Sequence, residues 1–249
     1  MLTKTITSLQ HPIVKHWFLL RSERSYREDA QRLLLVGEKM IRELSEEIPI
    51  LALATVNPTD EIPAKEKYLI TDSILKKITG LEHPDGFAAE VLLPPPQNLL
   101  SKKFLVIFDQ ISDPGNLGTL LRTALALNWE GAILTTPGTV DLFNDKALRA
   151  GKGAPFRLPY ARLPVEEVSR WIQEKQVAAI TADTEGSPLD QILAPKPPIA
   201  LILSNEAQGP GLWTEKIAQK VTIPMNRSVE SLNVAASGAI LLYAMRPKP

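Results

Sequence analysis

The sequence predicts an α/β protein with two domains, a small α/β domain followed by a larger domain built on a parallel sheet. Apolar stretches of strand length alternate along the chain with amphipathic or apolar stretches of helix length. Residues 104–108 and 199–203 are uninterrupted apolar runs, which are typical of strands buried on both faces of a parallel sheet. Consecutive prolines begin at Pro94, and such a run continues neither a helix nor a central strand. We therefore expect one domain over residues 1–97 and another over residues 98–249.

The composition is that of a globular protein and excludes several kinds of chemistry. The 249 residues are 44% hydrophobic and 22% charged, and no window has the roughly 18 uncharged apolar residues of a membrane span. We expect a cytoplasmic protein with no membrane partner. The absence of acidic residues before Glu23 also suits an organelle-targeting segment, although a basic first helix is the simpler interpretation. There is no cysteine, which excludes disulfides and thiol nucleophiles, and we expect no metal site.

Strands and helices alternate in the first domain. We expect strands at residues 33–36, 50–55, 68–71 and 88–93, and helices at residues 12–21, 38–47 and 72–80. Asp72 is expected to cap the last of these helices, and Gly80 to end it. The start of the chain is basic and is opposed by Glu23 alone; its cations are Lys4, Lys15, Arg21, Arg24 and Arg27. They can form a face that binds RNA or an ordinary solvated surface, and the charge pattern favours neither.

The second domain has the alternation of a parallel sheet covered on both faces. Its expected strands are residues 104–108, 132–135, 178–181, 199–203 and 221–223. Its expected helices run from a turn at residues 113–115 to about residue 127, over residues 165–175 and over residues 232–246.

Three polar loops follow strands of this domain, at the edge where parallel α/β sheets bind ligands. They are residues 109–118 (DQISDPGNLG), 204–211 (SNEAQGPG) and 223–233 (IPMNRSVESLN). Glycines let a ligand approach the backbone, and the helix N-terminus after the first loop favours an anionic group. Arg122 lies one turn beyond that loop, and its planar guanidinium suits phosphate. Together the loops predict a ligand site.

Each loop also has a simpler interpretation as a capped turn. Ser231 or Asn233 can cap the last helix, and Arg122 can be a surface arginine. Known nucleotide signatures are missing, because residues 151–156 (GKGAPF) lack the third glycine of a dinucleotide-binding loop and no Walker loop occurs. A dinucleotide-dependent enzyme is therefore poorly supported.

Taken in order, the three loops resemble the motifs of the SpoU (TrmH-type) branch of the SPOUT RNA methyltransferases. Motif one is similar to residues 113–124 (DPGNLGTLLRTA), motif two to residues 201–206 (LILSNE), and motif three to residues 223–225 (IPM) with 230–235 (ESLNVA). The resemblance covers residues 103–247. More loosely, the N-terminal part resembles the RNA-binding domain that often precedes this one, notably at residues 8–15 (SLQHPIVK) and 37–39 (GEK).

This resemblance implies an enzyme that transfers a methyl group from S-adenosylmethionine to a ribose 2′-hydroxyl in RNA. It also implies a deep trefoil knot in the second domain, and a homodimer in which motif one of one subunit lies near the cofactor of the other. By motif position, the cofactor contacts are Leu203, Ser204, Asn205, Ile223, Met225 and Leu232. The implied catalytic residues are Arg122, Asn116, Ser231, Asn233 and Glu206. The N-terminal resemblance favours ribosomal RNA over transfer RNA.

Arg122 stands where the family has its usual candidate for promoting loss of the ribose proton. An arginine, with a pKa above roughly 12, is a poor general base near neutral pH. We expect Arg122 instead to stabilise the developing alkoxide or to anchor a neighbouring phosphate. Asn116 would orient the ribose, and Ser231 and Asn233 would complete the site.

The sequence departs from the family pattern at four positions. Ser204, Ala207 and Arg227 replace common glycines, and Gly151 replaces a frequent serine. Serine is small, so we expect the cofactor site to tolerate Ser204. Two alternatives remain, an RNA-binding protein of the same fold with weak or no methyl transfer, and a transfer-RNA methyltransferase. An α/β enzyme of small-molecule metabolism is a third, which the basic N-terminus disfavours.

Overall fold

The computed structural model describes residues 3–192, 195–205, 209–226 and 228–248. Its strands are β1 (Thr3–Ile6), β2 (Arg32–Val36), β3 (Ala52–Thr55), β4 (Glu66–Ile70), β5 (Phe87–Leu92), β6 (Phe104–Asp109), β7 (Gly131–Thr136), β8 (Tyr160–Pro164), β9 (Ala178–Pro188), β10 (Ile199–Ser204) and β11 (Ala218–Thr222). Its α-helices are α1 (Pro12–Ser22), α2 (Arg24–Ala30), α3 (Glu38–Ser45), α4 (Asp72–Thr79), α5 (Pro114–Ala126), α6 (Asp145–Gly151), α7 (Ala154–Arg157), α8 (Val165–Glu174) and α9 (Val234–Ala244).

The chain is divided into two compact units. The first contains Met1–Pro95 together with Phe143–Gly153, and the second contains Pro96–Leu142 together with Ala154–Pro249. The chain therefore leaves the first unit within the run of prolines. Helix α6 groups with the first unit because it contacts β2.

The first unit is built on a mixed sheet with the strand order β1-β4-β3-β5-β2. Strands β1, β4 and β3 are parallel, whereas β5 is antiparallel to both β3 and β2. The strands and helices predicted for this region are confirmed to within a few residues. Strand β1 and helix α2 were not predicted. Each has a single buried residue, Ile6 in β1 and Arg27 in α2, and one buried residue produces no repeating apolar pattern in the sequence.

The cap predicted for α4 was placed one residue too late. The capping side chain is Thr71, whose hydroxyl accepts a hydrogen bond from the backbone N–H of Ile74 at 3.3 Å. Asp72 lies in the first turn, where its charge complements the helix dipole. Gly80 ends the helix as predicted, with a left-handed φ of 67°.

A buried carboxylate on β5 joins several parts of the first unit. The indole N–H of Trp17 donates to Glu90 at 3.1 Å, and His16 and Arg32 approach the same carboxylate at 3.4 and 3.5 Å. Burial alone would raise the pKa of Glu90, but hydrogen bonds from His16 and Trp17 outweigh it and hold that pKa below its ordinary value. Glu90 therefore stays charged inside the unit at neutral pH.

We predict that Glu90→Gln lowers the free energy of unfolding by about 1–3 kcal/mol at pH 7, because the amide loses the charge-assisted bonds. The folded pKa of Glu90 lies below its ordinary value of 4.5, so this stabilisation is present above that pH and is lost as the pH falls through the folded pKa. Urea unfolding at pH 7 and pH 3 measures both effects. The exposed Glu43→Gln is the matched control, and an equal loss from both variants would contradict the prediction.

The second unit contains a sheet with the order β11-β9-β10-β6-β7-β8, in which every neighbouring pair is parallel. The predicted parallel sheet is therefore confirmed. Strands β6, β7 and β10 are buried along nearly their whole length, in agreement with their uninterrupted apolar sequences. Strand β8 was missed because an arginine and a proline interrupt its short apolar pattern. The trefoil knot implied by the family resemblance stays a prediction.

Strand β9 is longer than predicted and contains a bulge. Thr181 pairs with Lys220 on β11, whereas the next residue of β11, Val221, pairs with Ser187. Residues 182–186 are therefore unpaired with β11 and bulge out between two paired segments of β9. At Gly186 a Cβ atom would lie 2.5 Å from the backbone nitrogen of Val221, so the returning strand approaches more closely than a side chain allows.

Helix α9 packs closely on α5 and on the end of β10. A Cβ atom at Gly238 would lie 2.4 Å from Leu120 and 2.9 Å from Leu203, so glycine permits this approach. The indole N–H of Trp129 also donates to the carbonyl oxygen of Leu242 at 3.2 Å. None of the helices in the described ranges is long and apolar enough to cross a membrane.

Candidate functional site

A cavity of about 180 Å³ opens at the carboxyl edge of the parallel sheet. It is formed by residues 182–184 within β9, by the ends of β10 and β11 and the loops that follow them, and by the segment before α9 together with the start of that helix. Its described lining residues are Ala182, Asp183, Thr184, Leu203, Ser204, Asn205, Gly209, Pro210, Val221, Thr222, Ile223, Met225, Ser231, Leu232, Val234 and Ser237.

The structure brings together the residues that the sequence assigned to a cofactor. They come from the end of β10, from the loop after β11 and from the segment before α9, and they are Leu203, Ser204, Asn205, Ile223, Met225 and Leu232. Ser231, assigned to catalysis, lines the same cavity. The wall is therefore largely apolar, with backbone groups of two loops beside it, an arrangement that suits a flat heteroaromatic ligand.

The bulge of β9 supplies cavity residues that the sequence did not predict. Asp183 accepts a hydrogen bond from the Nζ of Lys220 at 2.8 Å and another from the backbone N–H of Glu185 at 2.9 Å. Burial alone would raise the pKa of Asp183, but these two bonds outweigh it and lower that pKa. The residue is therefore a carboxylate at neutral pH. The sequence signal was absent, because residues 182–186 belong to none of the three motifs.

Side-chain amides connect the first loop to the other two. Asn233 Nδ2 donates to Asn116 Oδ1 at 3.2 Å, and Asn205 Nδ2 donates to the hydroxyl of Ser112 at 3.0 Å. Asn233 also caps α9, since its Oδ1 accepts from the N–H of Ala235 at 2.8 Å. Of the two capping residues considered for this helix, Asn233 is the one that caps it.

Arg122 is not among the residues that line the cavity. It lies on α5 with an exposed side chain, and Asn116 lies near the start of the same helix, also outside the lining. Asn233, which donates a hydrogen bond to Asn116, is not among the lining residues either, so within one chain Ser231 alone of the described predicted catalytic residues lines the cavity. Glu206, the remaining one, lies outside the described residues, as do Ala207 and Arg227.

A buried carboxylate at the end of β6 supports the loop edge. Asp109 is fully buried, and its two oxygens accept hydrogen bonds from Thr135 Oγ1 at 2.7 Å and from the indole N–H of Trp213 at 3.0 Å. Trp213 follows the second loop along the chain. The ends of β6 and β7 and the segment after the second loop are thus joined through one side chain, which sequence reasoning did not single out.

We predict that Trp213→Phe destabilises the second unit by roughly 1–3 kcal/mol, because it leaves one oxygen of a buried carboxylate without a donor. Trp129→Phe is the matched control, since its indole donates to the neutral carbonyl of Leu242 and its loss costs less. Chemical unfolding monitored by circular dichroism measures both. A larger loss from Trp129→Phe would show that Asp109 does not depend on the indole.

No cluster of three or more histidine, cysteine, aspartate or glutamate side chains able to hold a metal occurs among the described residues. The polar groups around the cavity are amides, hydroxyls, backbone groups and the carboxylate of Asp183.

A parallel α/β sheet with an apolar cavity among its carboxyl-end loops is typical of proteins that bind nucleotide-like ligands. Residues 103–243 match the SpoU rRNA Methylase family. The chain belongs to this family.

The similarity of the chain to known proteins extends beyond the segment that matches the family. The 23S rRNA (guanosine(2553)-2′-O)-methyltransferase of Bacillus subtilis is 30% identical over 253 residues, which cover 98% of this chain and 99% of that protein. An AdoMet-bound rRNA methyltransferase structure from Sinorhizobium meliloti has a TM-score of 0.85 at 26% identity and covers 98% of this chain and 97% of that one. A 23S rRNA (adenosine(1067)-2′-O)-methyltransferase of Streptomyces azureus is 32% identical over 141 residues, covering 56% of this chain and 52% of that protein.

Proposed function

We propose that this protein methylates a ribose 2′-hydroxyl of ribosomal RNA, with S-adenosylmethionine as the methyl donor. The observation that carries the proposal is the convergence of motif two and motif three on one cavity at the carboxyl edge of a parallel sheet. Membership of the SpoU family and the named activities of the relatives support it.

The cavity residues fit this cofactor. Leu203, Ile223, Met225 and Leu232 offer an apolar slot for adenine, and backbone groups of the same loops can bind its ring nitrogens. S-adenosylmethionine supplies a methyl group already activated by a sulfonium, so positioning accounts for much of the rate.

Ribose is the acceptor that the named relatives share. Their names specify a guanosine position and an adenosine position of 23S rRNA, in both cases at the 2′-oxygen. We infer that the family domain binds the ribose and backbone, and that the target nucleotide depends on other contacts. The first domain, over residues 1–97, is proposed to bind the RNA. The Bacillus subtilis and Streptomyces azureus relatives act on ribosomal RNA, which bacteria make in the cytoplasm, and we propose the same location for this protein.

In the proposed reaction, the residues of motif one act on the acceptor. Asn116 orients the ribose, with Asn233 holding its amide at 3.2 Å. Arg122 stabilises the 2′-oxygen as its proton leaves to solvent, or holds the adjacent phosphate. Ser231 and Glu206 complete the catalytic group.

We further propose that the protein works as a homodimer through the second domain. The surface of α9 stays apolar where it faces solvent, with Ile240 41% and Tyr243 57% exposed. Arg122 is outside the cavity of its own chain, and a second copy would bring it to a cofactor. Burial of the α9 face in the dimer accounts for its composition.

We predict that Arg122→Ala reduces methylation of ribosomal RNA by roughly 100-fold or more while leaving the affinity for S-adenosylmethionine unchanged. Incorporation of labelled methyl groups and isothermal titration measure these two quantities. Arg122→Lys keeps the charge and loses the planar fork, so recovery of most of the rate would show that charge alone suffices. Full activity of Arg122→Ala would refute the assignment.

Mixed dimers test whether Arg122 acts across subunits. Leu232→Trp should fill the cavity and block cofactor binding in its own chain. When Arg122→Ala and Leu232→Trp chains are refolded together, one complete site forms per mixed dimer, and activity should return. No recovery, with dimers demonstrated, would place Arg122 on the cofactor of its own chain.

Binding of the cofactor in the presence of Ser204 distinguishes the enzyme from an RNA-binding protein of the same fold. Alternation along β10 puts it on the face opposite Leu203, and among the described residues its buried hydroxyl has no hydrogen-bond partner. We expect Ser204→Gly to change the affinity for S-adenosylmethionine by less than about threefold, because the substitution breaks no hydrogen bond among the described residues and the cofactor contacts expected at this position are made by the backbone. Absence of heat from the wild-type protein at millimolar cofactor would favour the RNA-binding alternative.

The substrate can be identified by mapping 2′-O-methylated nucleotides in RNA from cells with and without the gene. A lost site in 23S rRNA supports the proposal, whereas a lost site in transfer RNA would favour the alternative substrate. Filter binding to RNA at two salt concentrations separates both from an enzyme of small-molecule metabolism, since phosphate contacts weaken as salt rises.

A further inference from the structure

The cavity has a charged side chain in an otherwise apolar and neutral wall. Asp183 is the one charged residue among the described residues that line it. Its side chain is 12% exposed, and its position is fixed on two sides by Lys220 and by the backbone of Glu185. A desolvated charge costs free energy unless it is bonded, so its presence here needs an explanation.

The bulge that carries Asp183 is closed at both ends by pairing with β11, because Thr181 pairs with Lys220 and Ser187 with Val221. The ladder with β11 closes again at Ser187, and Gly186 lets the two backbones approach closer than a side chain permits. Lys220, the ion-pair partner, lies on the strand that shifts register there. The carboxylate is therefore presented at a fixed place on the cavity wall.

The carboxylate has bonding capacity left for a ligand. Two carboxylate oxygens offer about four acceptor sites. The structure fills one on Oδ1 with the N–H of Glu185 and one on Oδ2 with Lys220. The remaining lone pairs can accept from donors in the cavity.

We propose that Asp183 binds the ribose hydroxyls of the adenosine moiety of the cofactor, with Lys220 as the residue that positions it. This inference rests on the proposed function. The vicinal hydroxyls of a nucleoside are neutral donors, and a carboxylate can accept hydrogen bonds from them, as the acidic residue of dinucleotide-binding folds does. Asp183 lies two residues beyond Thr181, where the pairing of β9 with β10 stops.

The ion pair is the reason to assign the hydroxyls rather than the positive groups of the cofactor. Lys220 neutralises Asp183 at 2.8 Å, so the pair as a whole attracts a sulfonium or an ammonium only weakly. A hydrogen bond from a neutral hydroxyl to the carboxylate does not require the ion pair to carry a net negative charge. Asp183 therefore contributes to recognition of the nucleoside and not to discrimination between methylated cofactor and product.

Four ligands separate these roles in isothermal titration against wild type and Asp183→Ala. S-adenosylmethionine, S-adenosylhomocysteine and 5′-methylthioadenosine share the ribose, but the second lacks the sulfonium and the third lacks both the sulfonium and the ammonium. The fourth ligand, 2′,3′-dideoxyadenosine, lacks the hydroxyls. We expect Asp183→Ala to weaken the first three by a similar factor of about tenfold or more, and to leave the fourth unchanged.

Controls test the role of the ion pair and of charge alone. Lys220→Met should weaken the three ribose ligands several-fold, because the carboxylate loses its orientation. Asp190→Asn removes a charge from an exposed site in the 3₁₀ turn after β9 and should change nothing.

Three results would overturn the proposal. A loss confined to S-adenosylmethionine would assign Asp183 to the sulfonium, an equal loss for the dideoxy ligand would reduce it to shaping the wall, and no loss would remove it from binding. If the wild-type protein binds none of the ribose ligands, the proposed function itself fails, which is a different outcome from unchanged affinity in Asp183→Ala.

Discussion

The candidate site depends on the parallel pairing of β10 with β6. The register runs from Ile199 opposite Phe104 to Ser204 opposite Asp109, so the first and second polar loops leave the sheet side by side. Parallel pairing of β11 through β9 brings the third loop to the same edge. Burial of Asp109 at that edge, with both oxygens bonded, holds the strand ends together, and its charge leaves little tolerance for displacement.

Much of this architecture could be predicted from sequence because it follows from local patterns. Uninterrupted apolar runs identified β6 and β10 as buried parallel strands, and the order of the three loops identified the family. The residues assigned to the cofactor then met at one cavity, since motif positions fix where the chain leaves the sheet. That they bind S-adenosylmethionine stays a prediction.

Features that arise from tertiary contacts could not be predicted in this way. The β9 bulge exists because the register with β11 shifts between Lys220 and Val221, and no local pattern records a shift between distant strands. Asp183 consequently had no sequence signal, and neither did the partners of Glu90, one of which is 73 residues away. Arg122 was correctly placed on a helix, but its distance from the cavity depends on how the chain folds back.

Helix α9 has a consequence for the order in which the second unit is made. The hydrogen bond from Trp129 to Leu242 spans 113 residues, and α5 cannot pack against α9 until residues 234–244 have been synthesised. Long-range contacts of this kind slow folding, because the loop must close before the contact stabilises it. Until α9 has been made, the apolar surface that it covers on α5 and β10 is exposed, and the core of the unit depends on this helix.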